Sequence, residues 1–275
     1  MVFIVKVPGI NGLGKTKGCE KAGNAVLDSL KEIYSNEQDK PIDVNLLDLE
    51  EIHLDNSNLE LGNKLIYKNG LEIFNEKPKT IFLGGDHSIS FSLTRAFMDH
   101  CKNKDKESCL IVFDAHADCM PLIKGGEGYP THEEWLRGLI EQGFNPNNIL
   151  LVGVRNLDAR EFEFINKKHI RVVHINQLLN DLEDTCDIIM EFASGKDKEL
   201  YLSLDIDIVD PAFAPATGYK EPGGLTSRQL IYLIQRMNKM KNLKAVDLVE
   251  INSEKDKEFG GITVKLGAKI VSELL

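Results

Sequence analysis

The chain has 275 residues, of which 42% are apolar and 28% charged, and its 43 acidic and 33 basic residues leave a formal charge of −10. That is the length of one large α/β domain and the composition of an ordinary globular protein. The acidic excess excludes a general nucleic-acid binder, because no basic surplus exists to displace phosphate counterions.

In chain order, the first apolar run covers residues 2–7 and reads as a strand. Lys6 interrupts it and Pro8-Gly9 stops it, so it lacks the long apolar stretch of a signal peptide. Further strands are expected over 44–47, 80–84, 110–114, 149–153, 171–174, 200–205 and 245–250. Between them, helices are expected over 21–34, 57–75, 90–101, 133–142, 158–165, 176–193, 227–239 and 264–274. In the segment 227–239, Leu230, Ile231, Leu233, Ile234 and Met237 recur at helical spacing. Alternating β and α segments with continuously apolar strands predict a three-layer α/β/α fold around a mostly parallel sheet. No run approaches the roughly 20 apolar residues that span a membrane. The cysteines at 19, 101, 109, 119 and 186 are odd in number and form no close pair. They predict reduced thiols in a cytoplasmic protein, with Cys119 a buried structural thiol beside Asp118.

Three strands are expected to end in residues that bind metals. Phe82-Leu83-Gly84-Gly85-Asp86-His87-Ser88 is the first such block, Asp114-Ala115-His116-Ala117-Asp118 the second, and Asp205-Ile206-Asp207 the third. Alternate residues of an extended segment share a face, so Asp114, His116 and Asp118 are expected to project together, as are Asp205 and Asp207. Four carboxylates in one pocket repel one another unless cations neutralise them. Four Asp and two His exceed one tetrahedral zinc and suit two adjacent divalent ions. All three blocks are expected at the carboxyl ends of the strands, where open parallel sheets collect ligands.

A competing motif lies in Gly9-Ile10-Asn11-Gly12-Leu13-Gly14-Lys15-Thr16, which fits the phosphate-cradling GxxxxGK[ST] pattern after a strand. A phosphate loop opens a helix at once. Here Lys17-Gly18-Cys19-Glu20 intervenes, and a nucleotide reading leaves His87, His116, Asp118 and Asp207 without a role. The alternative is a glycine-rich loop rimming the pocket.

Taken together, GGDHS at 84–88, DAHAD at 114–118 and SLDIDIVDPAFAPATG at 203–218 resemble the ureohydrolase family of arginases, agmatinases and related manganese amidinohydrolases. The resemblance runs from the loop at Gly12–Gly18 to the last helix, and implies one arginase-like catalytic domain over 1–275. It implies two manganese ions per chain, with His87 and Asp118 on one, His116 and Asp207 on the other, and Asp114 and Asp205 bridging. It also implies attack by a metal-activated hydroxide on the carbon of a small cationic guanidino substrate, releasing urea and an amine. Asp118 is then the proton carrier, Glu250 the guanidinium partner, and His132 a substrate-contacting proton shuttle. A homo-oligomer, trimer or hexamer, is implied as well.

Some positions leave the family pattern. Thr131 and Glu134 also read as a helix-capping box, which would make His132 an incidental first-turn residue. Met120 stands where arginases place an asparagine for the amino-acid head, Tyr219 follows Gly218 in place of threonine, and Ser253 replaces a proline. Methionine serves a polar α-amino-acid head poorly, so a simpler guanidine such as agmatine is expected ahead of L-arginine. Zinc deacetylases share the fold with one metal, but His87, Asp118 and Asp207 together favour the binuclear, urea-releasing side. A non-catalytic binding module is the third alternative, and the intact carboxylate cluster argues against it.

Overall fold

The computed structural model describes residues 2–12, 14–123 and 128–275. Eight strands form one sheet: β1 (Phe3–Val7), β2 (Asp48–Glu51), β3 (Thr80–Gly84), β4 (Glu107–Phe113), β5 (Ile149–Val154), β6 (Arg171–His174), β7 (Lys198–Asp205) and β8 (Leu243–Val249). Their order is β2-β1-β3-β8-β7-β4-β5-β6 and every pairing is parallel. The mostly parallel α/β/α expectation holds.

Burial on both faces explains the continuous apolar strands. Along β4, Ile111 and Phe113 join the core on one side while Leu110 and Val112 join the core on the other. Helices α1 (Ala22–Leu30), α7 (Leu182–Ala193), α8 (Ser227–Met237) and α9 (Ile262–Leu274) cover the first face. The second is covered by α2 (Leu59–Glu76), α3 (Ile89–Asn103), α4 (Trp135–Glu141) and α5 (Ala159–Lys168). The apolar stripe expected in 227–239 is the buried face of α8, which Thr226 and Gln229 cap reciprocally.

Several boundaries differ from the sequence reading. Residues 44–46 form a 3₁₀ turn after the Asp43 cap, and the expected strand lies just beyond it as β2. The expected helix over 176–193 is two, α6 (Ile175–Asn180) and α7, because Asp181 adopts an extended conformation and caps the second through the Asp184 N–H. Helix α4 begins only at Trp135. The turn before it uses half a capping box: Glu134 accepts the Thr131 N–H at 3.2 Å, but Thr131 Oγ1 has no partner. Among the described residues, no helix is long and apolar enough to cross a membrane. All five cysteines are buried and free, Cys119 included.

Candidate active site

The carboxyl ends of β3, β8, β7 and β4, adjacent in the sheet, open into a cavity of about 520 Å³. Its lining includes His87, His116, Asp118, His132, Asp205, Asp207 and Glu250, and Asp114 lies beneath. Every residue singled out from the sequence is therefore brought to one place.

The route to that convergence differs from strand alternation. Strand β4 ends at Phe113, so Asp114, His116 and Asp118 come from the irregular segment after it. Asp118 takes a left-handed conformation, with φ of 51°, which turns its carboxylate back into the cavity. Asp207 sits in a 3₁₀ turn after β7, its N–H donating to Asp205 Oδ1 at 2.7 Å. Glu250 follows β8, also left-handed with φ of 65°. Such backbone strain in residues with side chains is uncommon and collects at functional sites. Gly85 lets β3 lead into the site, because a Cβ there would lie 2.0 Å from the Gly9 carbonyl oxygen.

The donors fall into two groups that share Asp114. One is His87, Asp114 and Asp205, and the other is Asp114, His116 and Asp207. His87 Nδ1 lies 3.1 Å from Asp114, 3.0 Å from Asp118 and 3.3 Å from Asp205 carboxylate oxygens, yet is aligned for a hydrogen bond with none. His116 Nδ1 is 2.9 Å from Asp207 Oδ2 and 3.5 Å from Asp114 Oδ1. Buried imidazole and carboxylate atoms that converge without satisfying one another fit a pair of divalent cations.

The electrostatics agree. Burial, then the Asp114 charge, lifts the Asp118 carboxyl to about 7. Burial and the neighbouring Asp207 raise Asp205 well above the usual carboxylate range. For His87 burial works downwards, but the facing carboxylates outweigh it and raise the imidazole pKa. The protein alone thus retains protons that these donors must shed to take a metal.

Residues the sequence reading passed over hold the donors in place. His87 Nε2 lies 2.9 Å from Ser203 Oγ, which donates to Asp247 Oδ1 at 2.8 Å. Ser203 is left as an acceptor, so Nε2 keeps its proton, and Nδ1, facing the carboxylates, is the nitrogen that a metal would take once its proton is shed. Asp247 also accepts from Ser90 and Tyr201 hydroxyls at 2.6 and 2.8 Å. The indole of Trp135 donates to Asp118 Oδ2 at 2.8 Å and lies against the His87 ring, centroids 4.7 Å apart. The signal for Asp247 was present in the sequence: a carboxylate interrupts the apolar run 245–249.

Glu250 stands apart from the donor groups. Its Oε1 accepts the His87 N–H at 3.0 Å, and burial followed by the Asp86 charge pushes its carboxyl well above the ordinary range. His132 is buried on the wall. Neither of its ring nitrogens has a partner, and its ring stacks on Tyr219 at 5.6 Å. Burial lowers its pKa, which keeps the imidazole neutral at pH 7. It is both a turn residue ahead of α4 and a cavity residue.

The glycine-rich loop lies behind the cavity lining and touches it through Tyr219. Thr16 Oγ1 donates to buried Asp86 at 2.7 Å, the Lys15 ammonium donates to the Tyr219 hydroxyl, and the first α-helix waits until Ala22. The Lys15 and Thr16 side chains that a nucleotide would need are engaged within the protein.

A model of the arginase family matches residues 2–275. The chain belongs to the arginase family. The proclavaminate amidinohydrolase of Streptomyces clavuligerus is 31% identical over 198 residues, which cover 71% of this chain and 60% of that protein. A guanidinopropionase of Pseudomonas aeruginosa is 30% identical over 202 residues, covering 70% of this chain and 58% of its own length. The alignments therefore span less than two thirds of these curated relatives. In structure, the Streptomyces amidinohydrolase superposes with a TM-score of 0.85 at 25% identity, covering 99% of this chain and 90% of that one. The agmatine ureohydrolase of Thermoplasma volcanium, at 22% identity and a TM-score of 0.83, covers 99% of this chain and 88% of its own and shares the fold.

Proposed function

We propose that this arginase-family chain is a binuclear metal hydrolase that cleaves a linear guanidino compound to urea and an amine, acting on agmatine or a similar simple guanidine ahead of L-arginine. The observation that carries this reading is the pair of donor groups sharing Asp114, beside a separate buried carboxylate, Glu250. His87, Asp114, His116, Asp118, Asp205 and Asp207 would hold the two cations, with manganese suited to a mixed imidazole and carboxylate set. A pair of divalent cations held there would supply hydroxide from water at neutral pH.

The chain's own residues do the rest. Glu250, raised in pKa and without a cationic partner, gains a counter-ion when a guanidinium docks and holds its planar carbon over the donor ring. Addition of the nucleophile gives a tetrahedral carbon, and its collapse breaks the bond to the alkyl-bearing nitrogen. Asp118, fixed by Trp135, carries the nucleophile's proton to that leaving nitrogen. His132, neutral and with both nitrogens free, relays protons between the cavity and solvent. Met120 offers an α-amino-acid carboxylate no polar partner, and Asp158 and Glu161, which line the same side of the cavity, disfavour an anionic head. Unbridged buried thiols support a cytoplasmic setting, and resemblance to the family supports a homo-oligomer, trimer or hexamer, which light scattering on the purified protein tests.

The decisive assay screens manganese-loaded protein for urea release from agmatine, L-arginine and guanidino acids, alongside metal analysis and Glu250→Gln. Agmatine is expected to lead. Glu250→Gln is expected to keep its metal and lose roughly tenfold to a hundredfold in kcat/KM, the worth of one charged hydrogen bond. A stoichiometry that never exceeds one metal, or full activity of Glu250→Gln, removes this reading.

A further inference from the structure

The cavity floor beside Glu250 contains a polar group that nothing in the protein satisfies. Thr217 is 1% exposed, lines the cavity, and its Oγ1 has no hydrogen-bond partner. The position is fixed rather than incidental. The Ala216 carbonyl accepts the Asn252 N–H at 2.9 Å, and the Ala216 N–H donates to Thr263 Oγ1 at 3.1 Å. These bonds tie the segment carrying Thr217 to the segment carrying Glu250. The next residue, Gly218, passes so close that a Cβ there would lie 3.2 Å from Glu250 Oε2.

A buried hydroxyl without a partner is unfavourable, and valine would fill the same space without that cost. A cavity wall that keeps such a group therefore points to a ligand that completes it. An alkyl guanidinium carries five N–H donors in one plane, and a single carboxylate edge accepts two of them. The remaining donors need other acceptors if the cation is to be held at one rotation.

We propose that Thr217 Oγ1 accepts an N–H of the same guanidinium that Glu250 binds, as a second acceptor that fixes the rotation of the guanidinium plane. This rests on the reading of Glu250 given above. Thr217 would then recognise the part common to every guanidino substrate, whereas the tail meets the outer wall. Thr80, also buried with an unpartnered Oγ1 but placed at the start of β3 away from the cavity, is the internal control.

The test compares Thr217→Val, Thr217→Ser and Thr80→Val in manganese-loaded protein. The readouts are melting temperature, metal content, KM and kcat for the best guanidino substrate, and the melting shift caused by low-millimolar guanidinium chloride. Thr217→Val is expected to melt at or above the parent, to keep its metal, and to raise KM about tenfold, the loss of one hydrogen bond to a charged group. Its guanidinium-induced shift should vanish, Thr217→Ser should restore both, and Thr80→Val should leave KM unchanged. A destabilised Thr217→Val with parental KM assigns the hydroxyl to structure and overturns the proposal. Urea release that is indifferent to Thr217 overturns it while leaving the hydrolase intact. A Thr217-dependent guanidinium shift without any urea release upholds the contact and rejects the reaction.

Discussion

The floor and the wall of this one cavity are built in different ways. On the floor, each side chain comes from the few residues just past a strand end and is held by a specific neighbour: His87 by Ser203, Asp118 by Trp135, Asp207 by the Ala115 N–H at 3.0 Å. On the wall, His132 and Glu133 come from one connecting segment, Tyr219 from a second and Lys15, behind Tyr219, from a third, and they hold one another. Tyr219 donates to Glu133 Oε1 at 2.5 Å, accepts from Lys15, stacks on His132, and presents its edge to His116 at 5.9 Å. The floor is anchored to the sheet and the wall to itself. That difference predicts that floor substitutions change whether the chemistry runs, and wall substitutions change which molecule enters.

The largest effect is expected at the residue both donor groups share. Asp114→Asn removes one negative charge from two sites at once. Metal content should fall for both ions together, and urea release by about a thousandfold or more, because metal stabilisation of developing charge amounts to several kcal/mol at about 1.36 kcal/mol per decade. Elemental analysis with steady-state assays measures both. Retention of one full equivalent of metal would show that the groups are not joined through Asp114.

A smaller effect on the floor should come through an intermediary. Ser203→Ala leaves His87 its imidazole but removes the acceptor that fixes its tautomer. Such supporting contacts typically change metal affinity by roughly tenfold to a hundredfold. Competition with a chelator reads this directly, and excess manganese should restore turnover. Parental affinity would mean that packing against Trp135 alone orients His87.

The same division explains what could be read from the sequence. The floor was legible because its residues cluster in short blocks at strand ends, where topology alone brings them together. The mechanism inferred for that clustering, alternation within strands, did not hold: Asp118 and Asp207 reach the site through a left-handed residue and a 3₁₀ turn. Short-range spacing cannot distinguish those paths, since both end on the same side. Ser203, Asp247 and Trp135 were missed because their importance lies in partners 44 to 157 residues away for the first two and 17 for the third. Tyr219 was visible only as a departure from the family pattern. Its contacts with Lys15 and Glu133, 204 and 86 residues distant, exist only in the fold. The strand expected at 44–47 failed for a local reason, since Asp43 caps a 3₁₀ turn through the Asn45 N–H and delays the edge strand.

The smallest predicted effect tests the wall. Tyr219→Phe keeps the ring that stacks on His132 but cuts the hydroxyl link between Lys15 and Glu133. Because that hydroxyl links Lys15 to Glu133, the wall should loosen at this point while the floor stays as it is. Both partners of the hydroxyl are charged, but solvent screens the exposed Lys15 and holds the contact to about 0.5–1.5 kcal/mol, so the expected change is roughly two- to tenfold. It should appear as a change in the ratio of kcat/KM between a short guanidino substrate and a longer one, with metal content and kcat for the preferred substrate near parental values. A uniform loss across all substrates would place Tyr219 in the chemistry through His132 instead. A change in metal content would show that its edge contact with His116 matters more than its hydroxyl, and the division between floor and wall would have to be redrawn at that ring.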